Sequence, residues 1–183
     1  MKLIILDRDG VINKDSDSYI KHPDEWHPIE GSLEAIARLS RAGYRIFVAT
    51  NQSGLARGLF NIESLNAIHR KMFDAVQQVG GHIEGILFCP HGPDDNCSCR
   101  KPNPGLFKAI EERTHTVLEN IPVVGDSLRD LQAAVEVKAQ PILVRSGNGE
   151  KTLTQLSGLL ADIPVYDDLY SFSVKLIKES EHK

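Results

Sequence analysis

No run of this sequence stays apolar for the roughly 20 residues that a membrane-spanning helix needs, so no bilayer crossing is expected. The apolar opening Met1-Lys2-Leu3-Ile4-Ile5-Leu6 is cut off by Asp7-Arg8-Asp9, too early for the apolar region and cleavage site of a secretory signal. Strong charge of one sign is also missing: 21 Lys and Arg against 25 Asp and Glu leave a formal charge of −4. The broad basic field by which nucleic-acid binders gather phosphates is therefore absent, while a local pocket for a small anion stays open. Cysteine is scarce. Its three copies, Cys89, Cys97 and Cys99, share one short segment, and an odd, clustered set without an export signal suggests a metal rather than disulfides. No internal repeat, low-complexity tract or linker breaks the 183 residues. The expectation is one cytoplasmic domain over residues 1–183, with the last few residues frayed and no nucleic-acid or membrane partner. No sustained heptad appears, so a monomer is expected.

What is present is alternation. Hydrophobic residues make up 41% of the chain, enough for one packed core. Short apolar runs at 3–6, 45–50, 85–88, 121–124 and 141–144 read as strands. Helical spacing lies between them. Leu33, Ile36 and Ala37 precede a stop at Gly43; Leu65, Ile68, Met72, Val76 and Val79 line the inner face of a helix capped by Asn61. Leu106, Phe107 and Ile110 follow Pro104 as first helical residue, and Leu128, Leu131 and Val135 mark the next helix. Residues 8–30 read as irregular. A weaker helix, a short strand near Val165 and a helix over 168–179 complete the chain. His69 and His115 fall in helical patterns, where surface positions are expected. Fully apolar strands alternating with helices predict an α/β fold, a Rossmann-like three-layer sandwich with a parallel sheet. Ligands of such sheets bind beyond the carboxyl ends of the strands.

The chemistry-bearing residues sit at those ends. The first strand runs into Asp7-Arg8-Asp9-Gly10, the second into Thr50-Asn51, the third through the cysteine loop into Arg100-Lys101-Pro102, and the fourth into Gly125-Asp126 with Asp130 beyond. Residues two apart in an extended segment point the same way, so Asp7 and Asp9 present carboxyl groups to one pocket. One can attack phosphorus while the other moves a proton. Asp126 adds a third carboxylate, and three such groups need a cation; oxygen donors suit Mg²⁺. Phosphoryl transfer spreads negative charge over equatorial oxygens, and Thr50, Asn51 and Lys101 offer donors for them. Each motif alone is more often a turn or a helix cap. Their joint occurrence after four separate strands favours a phosphate-handling site.

Cys89-Pro90-His91 and Cys97-Ser98-Cys99 supply four ligands in two chelating pairs, a closed structural Zn²⁺ set that leaves no position for catalysis. Such a site would pin the loop and hold Arg100 and Lys101 over the pocket. Gly147-Asn148-Gly149-Glu150-Lys151-Thr152 only faintly suggests a phosphate-binding loop, because Glu150 breaks the pattern; it follows a late strand and could line the pocket mouth.

Asp7-Arg8-Asp9-Gly10-Val11, Val48-Ala49-Thr50-Asn51, Lys101 and Gly125-Asp126-Ser127-Leu128-Arg129-Asp130 together resemble the four motifs of the haloacid dehalogenase-like phosphohydrolase superfamily over nearly the whole chain. The resemblance implies Asp7 as nucleophile and Asp9 as general acid/base. It implies Mg²⁺ on Asp7, Asp126 and the main-chain carbonyl of Asp9. Thr50 and Lys101 would steady the phosphoryl group, with Asp130 orienting Lys101 or a metal-bound water. The segments between motifs are too short for a large cap domain, so loops must select the substrate.

The zinc loop just before Arg100-Lys101-Pro102 is similar to that of a subgroup holding the D-glycero-D-manno-heptose 1,7-bisphosphate 7-phosphatases and the histidinol-phosphate phosphatases. Asn51-Gln52-Ser53-Gly54-Leu55-Ala56-Arg57-Gly58 and the fourth motif resemble the heptose enzymes, which serve heptose nucleotide synthesis for lipopolysaccharide or related glycans. The short gap between His91 and Cys97 resembles the histidinol enzymes instead. By this resemblance Asp15, Ser16, Asp17, Ser18, Asn51, Gln52, Ser53 and Arg100 contact a small phosphorylated sugar. Arg57 and Arg100 suit a second phosphate, since guanidinium forks match its geometry; Arg57 serves equally well as a solvated charge. The competing readings are histidinol phosphate as substrate, a non-catalytic zinc-stabilised binding module, and a nucleic-acid 3′-phosphatase, which the acidic balance disfavours.

Overall fold

The computed structural model describes residues 2–181. The expected fraying at the C-terminus falls at 182–183, outside the described residues. Six strands, β1 (Leu3–Leu6), β2 (Arg45–Asn51), β3 (Gly85–Cys89), β4 (Pro122–Gly125), β5 (Gln140–Val144) and β6 (Val165–Tyr166), form one sheet in the order β3-β2-β1-β4-β5-β6. Every pairing is parallel. The helices are α1 (Ser32–Arg41), α2 (Ile62–Gln78), α3 (Gly105–Thr114), α4 (Leu128–Glu136), α5 (Gly149–Leu153) and α6 (Leu169–Glu181).

Alternation within the strands builds the two sides. Ile4, Leu6, Ile46, Val48 and Val124 pack with Ile36 and Leu39 of α1, Ile68 and Met72 of α2, and Leu169 and Phe172 of α6. Leu3, Ile5, Phe47, Ala49 and Val123 face the other way, onto Leu106, Phe107 and Ile110 of α3 and Ala133 and Ala134 of α4. The result is the expected three-layer sandwich, with no helical cap inserted after β1 or β2. The strand order reverses beside β1, and the crevice outside β1 and β4 is where such sheets bind ligands.

Several local expectations shift. Pro104 is the N-cap of α3 rather than its first residue. Val79 is 45% exposed because α2 ends at Gln78, and Gly80, at φ +78°, turns the chain away before Val79 can face inward. His69 is buried, not on the surface. Residues 8–30 are more organised than their pattern suggests. Backbone bonds Gly10 N–H to Asn13 O (2.8 Å), Lys14 N–H to His27 O (2.9 Å) and Ile29 N–H to Ile12 O (2.9 Å) fold this stretch on itself around the buried Trp26.

The long helix α2 starts where the Asn61 side chain accepts the Ser64 amide at 2.9 Å. Replacing Asn61 with Ala strands that donor and should lower unfolding free energy by about 1 kcal/mol in urea titrations, whereas Asn61→Asp should stay near the parent.

Candidate active site

The loop after β1 is tightly wound. Asp7 N–H continues the ladder to Val124 O at 2.9 Å, and the Arg8 carbonyl accepts the amides of Val11, Ile12 and Asn13. Gly10, at φ +83°, passes so close to Asp126 that a Cβ would overlap its carboxylate. The loop therefore delivers Asp7 and Asp9 beside Asp126, but into different surroundings. Asp7 Oδ1 accepts from Arg8 N–H (2.8 Å) and Lys101 Nζ (3.0 Å). Burial, then the charge of Asp130, pushes its carboxyl well above the ordinary range, with Lys101 opposing. Asp9 Oδ1 accepts from Arg8 Nε and Nη2 and from Asn13 Nδ2, and Oδ2 from Gln52 Nε2 at 2.9 Å. Burial alone would raise Asp9, but the Arg8 guanidinium and these donors hold it below the ordinary carboxylate range.

Lys101 enters from the cysteine loop and is 3% exposed. Its ammonium donates to Asp7 Oδ1 (3.0 Å) and Ala49 O (2.7 Å) and lies 2.6 Å from Asp130 Oδ1. The Asn51 side chain clasps the Lys101 backbone, accepting its N–H and donating to its carbonyl, each at 3.0 Å. Asp130 Oδ2 accepts from Ser127 N–H (3.1 Å) and Oγ (2.7 Å), so the first turn of α4 fixes it. Thr50, at the end of β2, is buried and accepts from Gln52 Nε2 at 2.9 Å.

Asp126 is braced by the segment that resembled a phosphate loop. Its Oδ2 accepts from Asn148 N–H (2.8 Å) and Nδ2 (3.3 Å), and its carbonyl accepts Thr152 Oγ1 at 2.7 Å. The same Asn148 amide reaches Asp15 Oδ2 at 2.9 Å. Burial, then Asp130, pushes Asp126 up to about 7.

These groups line a cavity of about 310 Å³, together with Asp15, Ser16, Gln52, Ser53, Arg57 and Arg100. Asp17 and Ser18 do not line it. The turn closed by Tyr19 N–H to Ser16 O, with Tyr19 at φ +65°, carries them to the outside and turns Tyr19 and Ile20 toward the cavity instead. Ile20, Pro93 and Arg129 are lining residues that sequence reasoning missed, while Asn148 lines the mouth as the reading of its turn allowed. Arg129 lay inside the fourth motif, and Asn148 inside the glycine turn, so both signals were present. A larger groove along α2, about 790 Å³, contains none of the clustered carboxylates.

Two ligand clusters stand out among the described residues. Carboxylate oxygens of Asp7, Asp126 and Asp130 lie within 4.8 Å of one another. An oxygen-only set of this charge fits a hard divalent cation. Each of the three is also held by protein donors: Asp130 by Lys101 and Ser127, Asp7 by Lys101 and the Arg8 amide, and Asp126 by Asn148. In the second cluster the ligand atoms of Cys89, His91, Cys97 and Cys99 lie within 4.8 Å of one another, five of the six pairs at 3.1–3.6 Å. Tetrahedral zinc with Zn–S bonds of about 2.3 Å has edges of about 3.7 Å, so the donors need to spread only slightly around an ion.

Two family models match the chain, one described as HAD-hydrolase-like over residues 98–171 and one as polynucleotide kinase 3 phosphatase over residues 2–134. The D-glycero-beta-D-manno-heptose-1,7-bisphosphate 7-phosphatase of Bordetella bronchiseptica is 55% identical over 98% of this chain and 100% of its own length. The chain belongs to the heptose-1,7-bisphosphate 7-phosphatase family of haloacid dehalogenase-like hydrolases. A further member, from Pseudomonas putida, is 51% identical over 97% of this chain and 100% of its own. The crystal structure of the B. bronchiseptica D,D-heptose 1,7-bisphosphate phosphatase, complexed with magnesium and phosphate, matches with a TM-score of 0.95 at 55% identity, covering 98% of this chain and 99% of that one.

Within this family member the cysteine cluster is joined to the cavity through Arg100, whose N–H donates to Cys97 Sγ at 3.3 Å one residue before Lys101. Cys97→Ser should therefore reduce bound zinc in metal analysis, lower the thermal midpoint by several degrees and depress phosphatase activity in parallel. A variant that keeps its activity after losing zinc would separate the loop from the site.

Proposed function

We propose that this protein removes the 7-phosphate of D-glycero-β-D-manno-heptose 1,7-bisphosphate through a covalent phosphate on Asp7, with Mg²⁺ as cofactor and structural Zn²⁺ in the loop. It acts as a monomeric single domain over residues 1–183, in the cytoplasm, in the supply of heptose precursors for lipopolysaccharide or related glycans. The observation that carries the reading is the convergence of Asp7, Asp9, Asp126 and Lys101 on one cavity, in a chain that shares half its residues, end to end, with named heptose bisphosphatases.

Asp7, Asp126 and the Asp9 carbonyl would hold the Mg²⁺. When bound, the ion offsets the charge of the clustered carboxylates and draws charge from the phosphoryl oxygens. Lys101 and the Arg8 amide fix Asp7 Oδ1, and with it the plane in which the carboxylate meets phosphorus. Attack forms an Asp7–phosphorus bond as the bond to the sugar oxygen breaks. Thr50, Asn51 and Lys101 face the charge that accumulates on the equatorial oxygens. Asp9 gives the leaving oxygen a proton, a role that the like charge of an incoming phosphate favours by raising its proton affinity. It then takes a proton from the water that hydrolyses the Asp7 phosphate. Asp130 acts on Lys101, its partner at 2.6 Å.

A substrate with two phosphates suits the cationic rim. Arg57, Arg100 and Arg129 line the same cavity, and their guanidinium forks can receive the 1-phosphate while Asp15 and Ser16 meet sugar hydroxyls. The short gap between His91 and Cys97 does not redirect the substrate, given relatives aligned over their whole length. The polynucleotide phosphatase model covers the part of the chain that supplies the shared catalytic motifs.

Purified protein with Mg²⁺ should release phosphate from the heptose bisphosphate in preference to fructose 1,6-bisphosphate and histidinol phosphate. Phosphorus NMR should show the anomeric phosphate surviving, and early loss of the 1-phosphate would sink the regiochemistry. Asp7→Asn should reduce turnover about a thousandfold or more, since no other group is placed to form the covalent bond.

A further inference from the structure

His69 lies on α2, outside the cavity lining, yet it is 7% exposed and its Nε2 stands 3.1 Å from Arg8 Nη1. A guanidinium has donors only, so Nε2 must be the acceptor and the imidazole proton must reside on Nδ1. Burial and the neighbouring Arg8 charge push His69 down to about 3, which keeps the ring neutral and able to accept. Arg8 itself is fully buried. Its other donors fork onto Asp9 Oδ1, Nε at 3.2 Å and Nη2 at 2.9 Å. The His69 ring in turn packs against Phe88 of β3, with centroids 6.3 Å apart.

We infer that His69 is a positioning residue for Asp9, acting through Arg8: its Nε2 accepts from Nη1, the one guanidinium nitrogen not bonded to Asp9, and so fixes the plane of the fork that aims the Asp9 carboxylate. Without that acceptor a buried N–H is left unsatisfied. The guanidinium then turns toward another partner, and the fork on Asp9 opens. The inference rests on Asp9 transferring the proton, so the test has to separate the two ideas.

The test uses full-length protein loaded with zinc and magnesium, and compares His69→Leu, His69→Gln and Asp9→Asn on two substrates. The heptose bisphosphate has an alkoxide leaving group that needs a proton; p-nitrophenyl phosphate has a phenolate that does not. His69→Leu should lose about tenfold or more in kcat/KM on the heptose bisphosphate and much less on the aryl ester, a fraction of what general acid catalysis contributes. His69→Gln, which restores an acceptor oxygen, should recover most of the loss. Nitrogen NMR of the parent should show the Nδ1–H tautomer. Equal losses on both substrates, no recovery with Gln, or an Nε2–H tautomer would overturn the inference. If Asp9→Asn itself shows no difference between the esters, the Asp9 reading falls; if it does and His69→Leu does not, only the role of His69 falls.

Discussion

Everything at the cavity depends on one buried ammonium. Lys101 lies between Asp7 and Asp130 at 3.0 and 2.6 Å, almost sealed from water. Desolvation works against its charge, but Asp130 and Asp7 more than compensate and hold the group protonated far above neutrality. Carboxylates this close would otherwise repel, and removing one member of such a set leaves an uncompensated buried charge that costs several kcal/mol. The ammonium arrives on a loop with little core of its own. Whatever fixes that loop fixes Lys101: the paired bonds from Asn51 to its backbone, and the Cys97 sulfur that accepts the preceding amide. The Cys₃His cluster is thereby tied through one backbone amide to the residue that precedes Lys101.

The sheet order explains why four separated segments meet. β1 lies between β2 and β4, so the residues following these three strands emerge side by side at one edge. Asp7 N–H bonds to Val124 O, extending the β1–β4 contact into the catalytic loop and fixing its distance from Asp126. The approach is closer than side chains permit. At both Gly10 and Gly147, each with positive φ, a Cβ would run into the Asp126 carboxylate. Two glycines from opposite ends of the chain make the slot, and Ser146 Oγ, donating to Gly10 O at 2.7 Å, ties them together.

The layered fold was legible because each strand is apolar on both sides and each helix carries a stripe at helical spacing. Asp7, Asp9, Asp126 and Lys101 were legible because each directly follows a strand or the cysteine loop. What escaped were residues placed by tertiary contact alone. His69 follows Ile68 on the helix, at the margin of the apolar stripe, and Arg8 and Phe88, brought there by the fold, make that margin an interior. Asp17 and Ser18 were indistinguishable in composition from Asp15 and Ser16; a turn at Tyr19, a residue with no ordinary preference for positive φ, separates them. Asn148 looked like part of a broken phosphate loop, whereas its backbone and side chain hold a carboxylate.

The residue between the two aspartates of the first motif is easily taken for a spacer. Here its guanidinium draws Asp9 down against the effect of burial, while Asp7, in the same tripeptide, is pushed up by burial and Asp130. A lysine at position 8 would keep the charge but not the function of the fork, because a point charge on a flexible stem fixes no plane. The guanidinium spans Asp9 on one side and His69 on the other, so the backbone amide of Arg8 orients Asp7 while its side chain orients Asp9. One buried residue thus braces both carboxylates, each through a different part of its structure, within a loop of three residues.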